Sequence, residues 1–485
     1  MTTFEQNLMI GAGLLLLSIV ATRASGRIGL PALLLFLVIG MLAGSDGPGG
    51  IPFEDAGLTR SVGTVALLFI LFSGGLDTQW QRVRPALGAS LALATVGVAV
   101  TAAITGGLAA MILDLGVYEG LLLGSILAST DAAAVFSILR GRGIALTGRL
   151  REVLELESGT NDPMAVLLTM ALIGVLTTAG VTAGDLTFFF LRQMIFGFGG
   201  GLLWGRLAIW CINRIRLGYE GLYPALTISF ALLSFTTVTA IGGSGYLAVY
   251  LTGLVMGQRD FVHRRSLLRF HDGLSWLMQI TVFLILGLLV FPKQLALVAA
   301  AGLATAFVLI FIARPIAVFI ALAFSRLDLK DKTFISWVGI RGAVPIILAT
   351  FPVEAGIPHA DVIFNIVFFA VLVSILVQGL TMAPLARLLR VLAAPAEREP
   401  IDWADSAAGD TNKDLVTIVV TEESPIAGKP LVDVGLPPET LIVLLIRDDR
   451  YLIPSGQTVF EAGDALLVLC SRQSLQRLNA LIGGV

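Results

Sequence analysis

Of the 485 residues, 56% are hydrophobic and 14% charged, where a soluble domain would carry about one-quarter charged residues. This composition excludes a soluble enzyme and implies a chain that crosses a bilayer many times. The formal net charge of −2 gives no basic footprint for nucleic acid. Two cysteines far apart in sequence, Cys211 and Cys470, supply neither a disulfide framework nor a metal cluster.

Apolar runs long enough to span hydrocarbon recur from the N-terminus to about residue 390. The predicted spans are roughly 6–22, 28–44, 60–77, 86–112, 119–139, 155–178, 187–212, 221–238, 244–258, 271–291, 295–325, 333–352 and 361–388, about thirteen in all. The first run continues into the others and reads as a span rather than a cleaved signal. Basic residues collect in alternate connections. Arg23 and Arg27 follow the first span, Arg82 and Arg84 the third, and Arg140, Arg142, Arg149 and Arg151 the fifth. Arg214 and Arg216 follow the seventh, Arg259, Arg264, Arg265 and Arg269 the ninth, and Arg326, Lys330 and Lys332 the eleventh. The intervening connections, such as 45–58 and 179–185, are nearly free of both residue types. The excess of positive charge on cytoplasmic loops then puts the N-terminus outside and the C-terminus in the cytoplasm.

Three polar segments interrupt this pattern: ASTDAAA at 128–134, LELESGTNDPM at 154–164 and GIRGAVP at 339–345. Ionisable groups inside a bilayer are costly, so they mark transport, proton relay or pairing. The first lies in span five and the third in span twelve, which run in opposite directions. Paired interruptions in antiparallel spans predict inverted repeats with broken, crossing helices and a site near the midplane. Gly342 and Pro345 weaken helix locally, and Pro345 leaves the Arg341 carbonyl without its usual donor. Span five carries a thinner signal, since the alanines at 132–134 are good helix formers.

In span six, Ser158, Asn161 and Asp162 are three and four apart and share a helical face, with Glu157 at its edge. Pro163 frees the Gly159 carbonyl. Hydroxyl, amide, carboxylate and carbonyl oxygens suit a dehydrated alkali cation. A carboxylate removed from water also keeps its proton to higher pH. One aspartate that takes either a cation or a proton is enough for exchange. The alternative is an interhelical hydrogen-bond network. Arg341 needs a partner at this depth: Glu157 is the expected one, which leaves Asp162 as the carrier, and snorkelling to an interface is the alternative. Asp131 is either a second carrier or a clamp on freed backbone N–H groups. No lysine precedes Lys293, so no ammonium group is available as a proton carrier in the core.

TDAAAVFSIL at 130–139, LESGTNDPMAV at 156–166 and GIRGAVPIILA at 339–349 resemble the cation:proton antiporter family, in particular its NhaP-type branch of potassium/proton antiporters. The resemblance implies a homodimer in the bacterial inner membrane, with a dimer domain and a mobile core domain that carries the ion in an elevator-like movement. It implies that Asp162 binds cation and proton, that Ser158, Thr130 and Asp131 line the site, and that Asn161 steadies it. It also implies a Glu157–Arg341 ion pair, one-for-one electroneutral exchange from the Asn-Asp form, and no cofactor or metal beyond the transported potassium or sodium. An electrogenic sodium/proton antiporter and a ligand-gated potassium channel are the competing classes. A channel would need a selectivity loop of backbone carbonyls, and the sequence offers none.

The composition changes after the last span. The expected organisation is a membrane domain at 1–392, a polar linker at 393–414 and a small cytoplasmic α+β domain at 415–485. Strands are predicted at 415–420, 441–447, 450–453 and 465–470, and a terminal amphipathic helix at 471–481. The stretch 424–469 resembles the C-terminal RCK (TrkA-C) module, which implies a dimerising unit that takes a small-molecule regulator. The alternative is a folding appendage without a ligand. No Gly-rich dinucleotide fingerprint precedes it.

Overall fold

The computed structural model describes residues 3–392 and 413–478, apart from 29–30, 54, 216, 422–423, 439, 448–449, 472–473 and 475–476. It divides into two compact units, Met1–Ala393 and Ala394–Val485.

The first unit is all helix. It opens with α1 (Thr3–Ile28), α2 (Ala32–Ala43) and α3 (Ala56–Asp77). A single long run follows, made of α4 (Trp80–Val83), α5 (Leu87–Ala92) and α6 (Val98–Leu113), with a π-helical turn at Leu93–Gly97. Then come α7 (Val117–Ile126), α8 (Ala132–Gly141), α9 (Gly148–Thr177), α10 (Ala183–Arg214), α11 (Leu222–Ala240), α12 (Gly245–Gly257) and α13 (Arg264–Leu289). The unit closes with α14 (Pro292–Phe307), α15 (Arg314–Ala321), α16 (Leu329–Trp337), α17 (Ala343–Glu354) and α18 (Ala360–Leu389). Among the described residues, eight helical runs are long and apolar enough to cross a membrane, and six shorter apolar helices accompany them. This is a multi-pass membrane protein.

Side-chain caps define several helix starts. Asp55 accepts from the Leu58 N–H at 2.8 Å to start α3, and Ser244 accepts from the Leu247 N–H at 3.3 Å to start α12. Both satisfy a donor that the first helical turn leaves orphaned. Span six was expected from residue 155, yet α9 begins seven residues earlier at Gly148. Hydropathy misses this turn because Arg149, Arg151 and Glu152 are polar, although they are good helix formers.

The helices pack as two bundles. One comprises α1–α3 and α10–α13, the other α4–α9 and α14–α18. Small residues allow the tight contacts that membrane helices need: a Cβ at Gly253 would lie 2.3 Å from the Phe72 carbonyl, so α12 and α3 touch backbone to backbone. The two bundles meet chiefly where α3 lies along α17. There Arg60 pairs with Glu354, and its guanidinium sits 4.5 Å over the Phe351 ring.

The second unit is built on a four-stranded antiparallel sheet of β1 (Lys413–Val419), β2 (Leu441–Arg447), β3 (Arg450–Leu452) and β4 (Ala465–Ser471), in the order β1-β4-β2-β3. Ile442, Leu445, Phe460, Leu466 and Val468 form its core. Arg447 is held by Asp464 through two contacts of 2.7 Å and donates to the Val459 carbonyl at 2.8 Å. The predicted linker, apart from 413–414 at the start of β1, and most of the predicted terminal helix fall outside the described residues.

Candidate ion-binding site

Two chain breaks build the site. The helix α7 stops at Ile126 and α8 starts at Ala132, so predicted span five is two short helices with a non-helical stretch between them. Likewise α16 ends at Trp337 and α17 begins at Ala343. Asp131 caps α8, its Oδ1 accepting from the Ala134 N–H at 3.0 Å. This local bond explains how a stretch followed by three alanines starts a new helix rather than continuing the old one.

The breaks hydrogen-bond to each other. The Asp131 N–H donates to the Ile340 carbonyl at 2.8 Å. Arg341 Nη1 donates to the carbonyls of Ala128 at 2.8 Å and Ser129 at 2.6 Å. These carbonyls lie just past the end of α7, where backbone acceptors have no intrahelical donor and the helix dipole favours a cation. Gly342 is required at this junction, because a Cβ there would lie 2.2 Å from Asp131 Oδ2.

The helix α9 lies against this junction and stays helical through Pro163. Ser158 Oγ donates to the Thr130 carbonyl at 3.0 Å and accepts from the Ala132 N–H at 3.1 Å. Asn161 Nδ2 donates to Thr130 Oγ1 at 2.6 Å. Asp162 is 7% exposed, and among the described residues its Oδ1 has no hydrogen-bond partner; neither has Asn161 Oδ1. Thr130, Ser158 and Asn161 are thus joined by short contacts around the first break, with Asp131 at the start of α8 and Asp162 next along α9. The arrangement leaves two buried oxygens unspent, which suits a ligand that is itself positive.

One expectation needs correction. Glu157 is buried and pairs with Arg314 of α15, Nη1 to Oε1 2.7 Å, rather than with Arg341. The guanidinium of Arg341 is drawn instead to the orphaned carbonyls of the first break. Arg314 carried the same sequence signal as the others, a charge inside predicted span eleven, and was passed over. Tyr250 was also missed. It is buried, and its ring lies against Gly159, where a Cβ would be 2.4 Å from Cε2. No sequence pattern marks that contact, which joins α12 of one bundle to α9 of the other. His271 contacts Thr227 Oγ1 at 2.8 Å, and His359 contacts Glu119 at 3.3 Å. Among the described residues, no group of three or more His, Cys, Asp or Glu could hold a metal ion.

A multi-pass bundle with a buried carboxylate beside two facing helix breaks defines a secondary transporter rather than an enzyme. The chain belongs to the sodium/hydrogen exchanger family, whose transmembrane region matches residues 14–388; a TrkA-C domain matches residues 415–483. It is 44% identical to the K(+)/H(+) antiporter NhaP of Alkalimonas amylolytica, over 98% of this chain and 83% of that protein. It is 43% identical to the K(+)/H(+) antiporter NhaP2 of Shewanella oneidensis, over 98% of this chain and 82% of that protein. The solved structure of the sodium proton antiporter MjNhaP1 from Methanocaldococcus jannaschii shares the fold, with a TM-score of 0.69 at 23% identity, over 78% of this chain and all of that one. The chain is a secondary active cation/proton antiporter.

Proposed function

We propose that the chain exchanges potassium for protons one for one, with Asp162 as the shared binding group. The observation that carries this reading is the charge balance at the breaks. Asp131, Glu157 and Asp162 are three carboxylates, and Arg314 and Arg341 are two guanidiniums. When all are ionised, the set has one uncompensated negative charge in a low-dielectric surrounding, where unpaired charge is costly. One monovalent cation or one proton removes it. The unpartnered Oδ1 of Asp162 is the place where either can bind. Asp131 reads as the clamp rather than a second carrier, because its Oδ1 accepts from the start of α8.

Thr130 and Ser158 supply further oxygens for the cation, and Asn161 holds Thr130. Potassium is preferred over sodium because the relatives at 43–44% identity are named K(+)/H(+) antiporters. Counting each broken pair as one crossing gives about thirteen spans, with the N-terminus outside and the C-terminal unit in the cytoplasm of a bacterial inner membrane. The two breaks, in spans of opposite direction, belong to inverted repeats. The bundle of α4–α9 and α14–α18 carries the site and moves against the other, which dimerises with its copy. The C-terminal unit, from about residue 415, regulates exchange through a small-molecule ligand.

The test is proton flux in proteoliposomes, with potassium and sodium supplied in turn. Below the pKa of the carrier carboxyl, the apparent cation KM should rise about tenfold per pH unit, since each unit removes tenfold of the ionised form. An imposed voltage should leave the rate unchanged. A KM that stays flat through the acid limb would refute competition at one carboxylate. A rate that follows voltage would make Asp131 a second carrier.

A further inference from the structure

We propose that Ser374 and Gln378 of α18 are positioning residues for ion binding, acting through the second helix break. This rests on the antiporter reading above and adds two residues that contact none of the ion-binding side chains. Both are fully buried, and they lie one helical turn apart on the same face of α18.

Their hydrogen bonds run in one direction. The Arg341 backbone N–H donates to Ser374 Oγ at 3.1 Å. The Ser374 hydroxyl donates to Gln378 Oε1 at 2.5 Å. Gln378 Nε2 donates to the Trp337 carbonyl at 2.7 Å. Each group uses its donor and its acceptor once, and such chains polarise in one sense. Trp337 is the last residue of α16, and Arg341 lies inside the break. The relay therefore ties the last residue of α16 to Arg341 across an unwound segment, in which the Ile340 N–H reaches only the Val338 carbonyl, at 2.9 Å.

What this segment holds in turn is the ion site. Its Ile340 carbonyl accepts from the Asp131 N–H, and the Arg341 side chain holds the carbonyls of Ala128 and Ser129. Those residues lead into Thr130, which Ser158 and Asn161 of the carrier helix contact. A shift of the second break is thus passed to the first break, and from there to the oxygens beside Asp162. Polar residues that merely joined helices would affect stability alone. A positioning relay must also affect cation affinity and the competition with protons.

The experiment compares Ser374→Ala, Gln378→Met and Ser374→Thr with wild type and with Asp162→Asn in proteoliposomes. Cation KM, maximal rate and pH profile are measured for potassium and sodium. The potassium concentration that half-saturates thermal stabilisation is measured on the same detergent-purified proteins. Ser374→Ala and Gln378→Met should raise the cation KM and the half-saturating concentration about tenfold, the scale of one orphaned buried hydrogen-bonding group. Their acid limb should move to higher pH, because a proton then competes with a weaker cation. Ser374→Thr, which keeps the hydroxyl, should behave as wild type.

Unchanged KM, half-saturation and pH profile in Ser374→Ala and Gln378→Met would overturn the proposal. A fall in maximal rate that only follows the loss of folded protein would overturn it too. Failure of the antiporter reading looks different: wild type would exchange neither cation for protons, or Asp162→Asn would still exchange.

Discussion

At the residue scale, the proposed carrier is Asp162. An amide can neither release a proton nor balance a cation, so Asp162→Asn should abolish cation-driven proton flux while the protein stays folded, as judged by monodispersity and melting temperature. Asp131→Asn should do less damage if Asp131 is a clamp. Glu157 and Arg314 test the corrected ion pair. Removing one member leaves a lone buried charge, which costs on the order of 3–5 kcal/mol, whereas replacing both with apolar groups of similar volume is close to neutral. Thermal melts of Glu157→Leu, Arg314→Met and the double variant should show the double variant melting above either single one; additive losses would mean that the two charges act independently. Gly159→Ala tests Tyr250. Its Cβ has no room beside the ring, and overpacking of this kind costs about 1–3 kcal/mol. The added Tyr250→Ala change should relieve that loss.

At the element scale, the breaks between α7 and α8 and between α16 and α17 matter more than the helices themselves. Each break frees backbone groups that must find partners in a medium without water, and they find them in one another and in Arg341. Gly342→Ala should push the Asp131 carboxyl off its position at the start of α8, since the new Cβ would lie 2.2 Å from its Oδ2. We expect lower stability together with weaker cation binding, seen as a lower melting temperature and a higher KM. Normal binding in a folded Gly342→Ala protein would show that the Asp131 position is immaterial to the site. Pro163 behaves differently. It removes one N–H from the α9 ladder, yet the helix continues through it, because neighbouring helices hold the chain there.

At the scale of the whole molecule, every proposed ion ligand lies in the first compact unit, and the sheet of the second has its own core in Ile442, Leu445, Phe460 and Val468. A chain ending at Ala393 should therefore still exchange in proteoliposomes. What should change is the pH or ligand range of activity, through a shift between resting and active populations. A truncated protein that inserts and stays monodisperse but exchanges under no condition would make the second unit integral to transport.

The amino-acid sequence alone determined the membrane class, most helix positions and the polar clusters at Thr130–Asp131, Glu157–Asp162 and Arg341. Hydropathy and the cost of intramembrane charge are local properties, legible residue by residue. The four strands of the second unit were legible for the same reason, from short apolar runs between turn residues. Tertiary structure alone decided which charges meet. Arg341 and Arg314 carry the same signal, and only the tertiary arrangement that brings Arg314 of α15 within reach of α9 gives Glu157 to Arg314, while orphaned carbonyls take Arg341. It likewise decided that Tyr250 rests on Gly159, and that Ser374 and Gln378 hold a break more than thirty residues away. Partners distant in the chain are chosen by the geometry of freed backbone groups, which no single segment encodes.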